Sequence, residues 1–448
     1  MSTHPKFVIV GHPNKGKSSI VSTLTLDDSV VISNKPGTTT KSRSFQLKKG
    51  DKIFYELIDT PGFQRPRKLL KILKEGNPTA AERPKRVLEF LEKYCKGEDN
   101  GFKDECELLR PIMDGGGIIY VVDASKPYSS EFENEMEILR FCAKPSMAIL
   151  NYIGEGDYTK EWDSILGQYF RIIKPFNPLK ATFSDHIELL EALTHVSPQW
   201  RDDLKEAIRL LKEYHKEQKQ KVAQLITNAI KEALSHKIVK STNIFNSEER
   251  LKEEFKKDLE EIEKKLFNNI KDTLNFKNSA FEMPKESVEY KLFSKESQEI
   301  FGLSREKLIL ISTLTSATAG GLIDLAVGGH SFFLGTIIGG ALGFVGANYG
   351  YGELSKIRFL SNNKIEIGPI EDANFGFIFL NRALSFARAL LTTTHANRDI
   401  KDILIINDEI DIKTLKKLIY FHNKFKNNKQ TKEDLKKYQD MIFKLLNL

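Results

Sequence analysis

The strongest constraint on this chain lies near its start. An apolar run, Phe7-Val8-Ile9-Val10, leads into Gly11-His12-Pro13-Asn14-Lys15-Gly16-Lys17-Ser18-Ser19. The run reads as a buried strand, and Ser19-Ile20-Val21-Ser22-Thr23-Leu24 behind it as an amphipathic helix. Gly11, Gly16, Lys17 and Ser18 stand at the G-x-x-x-x-G-K-[ST] spacing of a phosphate-binding loop. That spacing has a physical cause. Glycines let successive backbone N–H groups turn toward one anion, and the helix N-terminus adds its partial positive charge. Lys17 is then expected at the β- and γ-phosphates and the Ser18 hydroxyl on a magnesium ion.

Two downstream motifs, in their order along the chain, narrow the reading. A second strand, Ile53-Phe54-Tyr55-Glu56-Leu57-Ile58, ends in Asp59-Thr60-Pro61-Gly62. An aspartate there suits a magnesium contact through water, and the Gly62 N–H suits the γ-phosphate. Between this motif and the phosphate loop lies Pro36-Gly37-Thr38-Thr39-Thr40, a loop whose threonine can close over the metal.

Gly11-His12-Pro13-Asn14-Lys15-Gly16-Lys17-Ser18, Gly37-Thr38-Thr39 and Asp59-Thr60-Pro61-Gly62 resemble the G-x-P-N-x-G-K-S, G-T-T and D-T-P-G of TrmE–Era-type GTPases. The resemblance covers roughly the first 200 residues and implies an α/β P-loop G domain with a mostly parallel sheet and helices on both faces. It implies GTP and GDP as ligands, Mg2+ as cofactor, and slow hydrolysis of GTP. Lys17 and Thr39 are its catalytic residues, with Thr38 the alternative to Thr39. Asn14, Lys15, Gly16, Lys17, Ser18, Ser19, Asp59, Gly62 and Asn151 are its nucleotide-binding residues, and Ser18, Thr39 and Asp59 (through water) its metal ligands. Phe63 follows Gly62 where Ras-like enzymes carry glutamine, and Gln64 comes one position late. The class offers K+ held with help from the loop asparagine, here Asn14; the competing reading of Asn14 is a turn residue. More faintly, the remainder resembles bacterial proteins in which such a domain precedes an uncharacterised helical one.

Residues 65–110 form an insertion with two basic, helically spaced halves, starting where the γ-phosphate is sensed. A switch element and a solvated helical pair both fit. Ile118 to Asp123 reads as a central strand, Glu131 to Phe141 as a helix, Met147 to Asn151 as a strand, and Tyr169 to Ile173 as a last strand. The tip after Asn151 should read N-K-x-D but reads Asn151-Tyr152-Ile153-Gly154. Tyr152 replaces the lysine and Gly154 the guanine-reading aspartate, with Asp157 the nearest substitute.

The G domain is expected over 1–198 and a helical domain over 199–448, joined by a continuous helix. Within the second, 308–352 carries Asp324 as its sole formal charge and Gly335, Gly339, Gly343 and Gly346 in its second arm. That arm is long enough for a ~30 Å hydrocarbon layer and the first is marginal. A hairpin entering lipid and a Gly-rich buried hairpin both fit. Phe375 to Leu391 reads as an apolar helix, and 413–448 as two lysine-rich amphipathic helices.

The chain of 448 residues has a net charge of +7, which favours anionic partners without choosing among them. No KH-type G-x-x-G or aromatic RNA-binding strand supports a nucleic acid or ribosome. A membrane, an unidentified protein and a second copy of the chain stay open as partners. Cys95, Cys106 and Cys142 show no metal or redox spacing, and the start lacks a signal-peptide pattern, so the expected location is cytoplasmic, with the inner membrane face open.

Overall fold

Strand β1 (Lys6–Val10) is apolar from Phe7 to Val10 because both its faces are covered there. Phe7 and Ile9 point into one core and Val8 and Val10 into another. The structure is a computed structural model of the 448-residue chain. It describes residues 4–13, 15–24, 35–36, 42–49, 51–96, 101–178, 180–241, 248–274, 276, 291–303, 307, 355, 357–361, 363–372, 374–392 and 410–447. The chain divides into two units, Met1–His215 with Thr392–Arg398, and Lys216–Leu391 with Asp399–Leu448.

In the first unit, α1 (Lys17–Leu24) succeeds the phosphate loop, and β2 (Lys35–Pro36), β3 (Arg43–Lys49) and β4 (Lys52–Asp59) come next. Beyond them lie α2 (Pro66–Lys74), α3 (Arg83–Tyr94), α4 (Lys103–Met113), β5 (Gly117–Asp123), α5 (Glu131–Cys142), β6 (Ser146–Asn151), α6 (Thr159–Leu166), β7 (Ile173–Pro175) and α7 (Phe183–Leu193). The sheet order is β2-β3-β4-β1-β5-β6-β7. Strands β4, β1, β5, β6 and β7 run parallel, and β2–β3–β4 pair antiparallel. This is the mostly parallel G-domain sheet that the motifs imply. One face buries Val8, Val10, Tyr120 and Val122 under α2 to α6, the other Phe7, Ile9, Ile119 and Val121 under α1, α7 and the start of α8 (Arg201–Ser235). The phosphate loop, the D-x-x-G motif and the Asn151 tip therefore lie at the carboxyl ends of the parallel strands β1, β4 and β6.

Two details differ from expectation. The insertion contributes α2, α3 and α4, packed in part on α5, rather than a helical pair. Residues 169–172 are not strand: Tyr169 and Phe170 donate back to Leu166 O, finishing α6 as a turn. The gain is aromatic, since Phe170 then stacks on the buried Tyr120 at 5.4 Å.

Helix α8 is unbroken, and the division between units falls inside it. The second unit contains the rest of α8, β8 (Ile238–Ser241), α9 (Glu248–Thr273), α10 (Lys295–Phe301), β9 (Ile357–Leu360), β10 (Lys364–Ile367), α11 (Phe375–Thr392), α12 (Ile412–Lys426) and α13 (Lys432–Leu445). Its small antiparallel sheet has the order β8-β10-β9. The apolar stripes of α8, α9 and α11 to α13 share one core. Among the described residues, Phe375–Thr392 is the helix long and apolar enough, by length and composition, to cross a membrane; 83% of that window is buried inside the protein. The expected apolar hairpin, 308–352, lies outside the described residues.

Candidate functional site

The phosphate loop needs glycine twice. Gly11 (φ +146°) backs onto the Val121 carbonyl and Gly16 (φ +83°) onto the Asn151 side chain, so a Cβ at either would collide. The buried Lys17 Nζ donates to the carbonyls of Gly11 (3.2 Å) and His12 (3.0 Å), which curls the ammonium over the loop. Burial lowers its pKa, while the negative charges of Asp59 and Glu135 hold it up.

The Ser18 hydroxyl donates to Asp59 Oδ2 at 2.7 Å, uniting the loop with the D-x-x-G motif. Asp59 Oδ1 is buried and has no hydrogen-bond partner. Desolvation raises the Asp59 pKa, against the opposing Ser18 hydrogen bond and Lys17 charge. An orphaned carboxylate oxygen beside a hydroxyl is what a hard, water-carrying cation requires, so these residues fit Mg2+. Among the described residues no cluster of three His, Cys, Asp or Glu offers an all-protein metal cage. Thr60 Oγ1 donates to Ile9 O at 2.7 Å, fixing the motif to β1. Phe63 is buried among the helices, whereas Gln64 is exposed.

Asn151 Nδ2 donates to Lys15 O at 2.9 Å, so the β6 tip holds the phosphate loop, as its motif position requires. The rest of that tip is rebuilt. Tyr152 OH pairs with Thr159 Oγ1 at 2.9 Å, and Gly154 N donates to Ser125 Oγ at 2.9 Å. Asp157 Oδ1 accepts from Thr159 N (3.0 Å) and Oγ1 (2.6 Å), bonds that lower its pKa. Asn14, Thr38 and Thr39 lie outside the described residues.

Several site residues escaped sequence reasoning. Glu135 of α5, fully buried, accepts from His12 Nδ1 (2.8 Å) and Tyr120 OH (3.0 Å) beneath the loop. Asp123, at the end of β5 and buried, is another: its Oδ2 lies 3.7 Å from Nζ of Lys15, itself expected from the sequence. Glu105 of α4 accepts the backbone N–H of Gln64 (3.0 Å) and Arg65 (2.5 Å). An acidic residue inside an otherwise apolar helix face was the signal available for Glu105 and Glu135. The cysteines also correct the sequence reading: Cys95 and Cys106 are disulfide-bonded, Cα to Cα 5.7 Å, across a sequence separation of 11.

A phosphate loop, a Ser18–Asp59 pair and an Asn151 clasp on this sheet define a GTPase G domain of the P-loop class. Residues 6–152 accordingly match the family described as 50S ribosome-binding GTPase. Residues 164–446, more than half of the chain, match the family described as domain of unknown function DUF3482, and the chain belongs to that family. GTPase Der of Nitrosospira multiformis is 28% identical over 159 residues, 36% of this chain and 28% of that protein. GTPase Der of Cupriavidus taiwanensis is 39% identical over 162 residues, 36% of this chain and 28% of that protein. The chain spans less than half the length of the curated relatives it matches. Among solved structures, a GTP-binding protein from Sulfolobus solfataricus in complex with GDP is 21% identical, covering 43% of this chain and 53% of that one, with a TM-score of 0.26. Era in complex with MgGDPNP and nucleotides of 16S ribosomal RNA is 18% identical, covering 61% and 89%, with a TM-score of 0.27.

Proposed function

We propose that this chain is a GTP-binding switch that hydrolyses GTP slowly to GDP and phosphate, its nucleotide state controlling the helical domain of 199–448. The observation that carries the reading is the Ser18–Asp59 hydrogen bond beside Lys17, with Asp59 Oδ1 left unpartnered. Ser18 would hold Mg2+ directly and Asp59 through water, with Thr39 from the preceding loop. When bound, the ion supplies positive charge against the phosphates. Lys17 adds a second positive charge, the Gly62 N–H orients the γ-phosphate, and Asn151 keeps the loop in shape. Asn14 is assigned to K+, which implies faster hydrolysis in potassium than in sodium; equal rates would remove that ion.

The test is equilibrium binding of a fluorescent GTP analogue to the full chain with and without Mg2+, competed by GTP or ATP. Mg2+-dependent binding that GTP displaces better than ATP is expected. Equal displacement would overturn guanine selectivity but leave the phosphate site. No binding of either would overturn the reading.

A ribosome- or RNA-associated role is the second reading. The matched family description supports it, as do Arg67, Lys68, Lys71 and Lys74 on α2, directly after the D-x-x-G loop. The helical domain is further proposed to meet the inner face of the cytoplasmic membrane through 308–352. Carbonate-washed membrane fractions and ribosome sedimentation separate the two, and protein in neither pellet would overturn both.

A further inference from the structure

The Cys95–Cys106 bond lies beside the residues that hold the backbone leaving the D-x-x-G loop. Cys95 caps the C-terminus of α3 and is half-buried, while Cys106 sits in the first turns of α4 with its side chain in the core. Its neighbour Glu105, 1% exposed, is the acceptor for the two backbone N–H groups that leave the D-x-x-G loop, those of Gln64 and Arg65. The Arg65 side chain donates to Gly101 O at 2.6 Å, a carbonyl inside the ring that the disulfide closes. Arg110 Nη2 donates to Cys95 O at 3.1 Å, and Phe90, Tyr94 and Phe102 pack edge and face around the junction. Three anchors of the segment after Gly62 thus hang from residues next to, or inside the ring of, the bond.

We propose that Cys95 and Cys106 form a thiol–disulfide exchange site whose state sets how firmly the residues after Gly62 are held, and so the rate of nucleotide release. The proposal rests on the GTP-switch reading for its output but not for its chemistry. The oxidant class is a low-molecular-weight disulfide. The thiolate of Cys95, the more exposed sulfur, attacks one sulfur of that molecule and expels the other as a thiolate. The Cys106 thiolate then attacks the Cys95 sulfur and expels the second small thiolate. One disulfide is consumed and one formed, and the two protein protons end on the two small thiols. The cross-link, across a sequence separation of 11, ties the C-terminus of α3 to the first turns of α4, and reduction removes that tie.

The test uses the full chain treated with excess oxidised or reduced glutathione. Free thiols are counted by mass after alkylation in denaturant, and release of a fluorescent GDP analogue is timed. Oxidised protein should retain one alkylatable thiol, the buried Cys142, and reduced protein three. Release should differ between the two forms by about fivefold or more, a common size for coupling between sites. Cys95→Ser and Cys106→Ser should each fix the reduced rate, and Cys142→Ser should keep the response. Glu105→Ala, which removes the acceptor of both N–H groups, should still form the disulfide but lose the difference in rate. Three free thiols after oxidation would overturn the site. Equal release rates with the bond formed would overturn the coupling. Nucleotide binding by neither form would instead overturn the GTP-switch reading while the thiol count still decided the chemistry.

Discussion

Lys17 is buried with its charge met by backbone carbonyls. At 7% exposure its ammonium is costly to leave unpaired, and the Gly11 and His12 carbonyls satisfy it. A triphosphate offers a charged acceptor in their place, and a charge-assisted hydrogen bond is about twice as strong as a neutral one. Lys17→Ala is therefore expected to weaken triphosphate binding by about 10- to 100-fold, measured by titration with a fluorescent nucleotide. The helical content in circular dichroism should be unchanged. Asp59→Asn should leave binding of the nucleotide alone intact and remove its enhancement by Mg2+, since the orphan oxygen loses its charge.

At the scale of elements, α11 is the most instructive. Its composition suits a membrane, yet Asn381, Arg382 and Arg388 each make hydrogen bonds inside the protein. Arg382 makes paired hydrogen bonds to Glu263 of α9, at 2.6 and 3.0 Å, and a third to Ser297 of α10 at 2.9 Å. Asn381 Nδ2 donates to Phe301 O at 2.7 Å, and Arg388 Nε to Leu445 O at 3.0 Å, closing the end of α13. These bonds fix the rotation of α11 about its axis in a way its apolar face cannot. Arg382→Met should cost about 3–5 kcal/mol, because it strands the buried Glu263 carboxylate. Adding Glu263→Met should recover most of that loss. Urea unfolding of the two variants checks both statements, and a double variant no more stable than the single one would contradict the second. The insertion α2–α4 behaves alike: helical spacing was visible in 65–110, but its attachment to the D-x-x-G loop through Glu105 depends on how α4 docks.

The whole molecule carries buried histidines whose protons link it to pH. Burial pulls the His186 pKa down to about 4 and the His422 pKa down to about 3. His422 Nε2 and Tyr438 OH are hydrogen-bonded at 2.9 Å, whereas His186 Nε2 has no partner. Both are neutral when folded, and each takes up a proton below about pH 6.5 once unfolded. The unfolded state then binds more protons, so stability falls as pH drops below about 6.5 and levels off only near 4 and 3. At pH 5 each should cost about 2 kcal/mol. His186→Leu should flatten the fall in melting temperature between pH 7 and 5 for the first unit and leave the melt at pH 7 unchanged or higher. What sequence alone determined is whatever repeats along the chain. The apolar run Phe7 to Val10 and the offsets of Gly11, Gly16, Lys17 and Ser18 mark a strand, a phosphate loop and a helix, and the family resemblance that these residues carry together with Asp59–Gly62 and Asn151 implies the P-loop G domain. Tertiary structure decided the rest: Glu135 under the loop, Lys15 facing Asp123, Cys95 bonded to Cys106, and Arg382 meeting Glu263 across 119 residues of sequence. Periodicity gives the face a helix buries, but the partner on that face depends on how the helix docks and rotates, which only packing of the complete core selects.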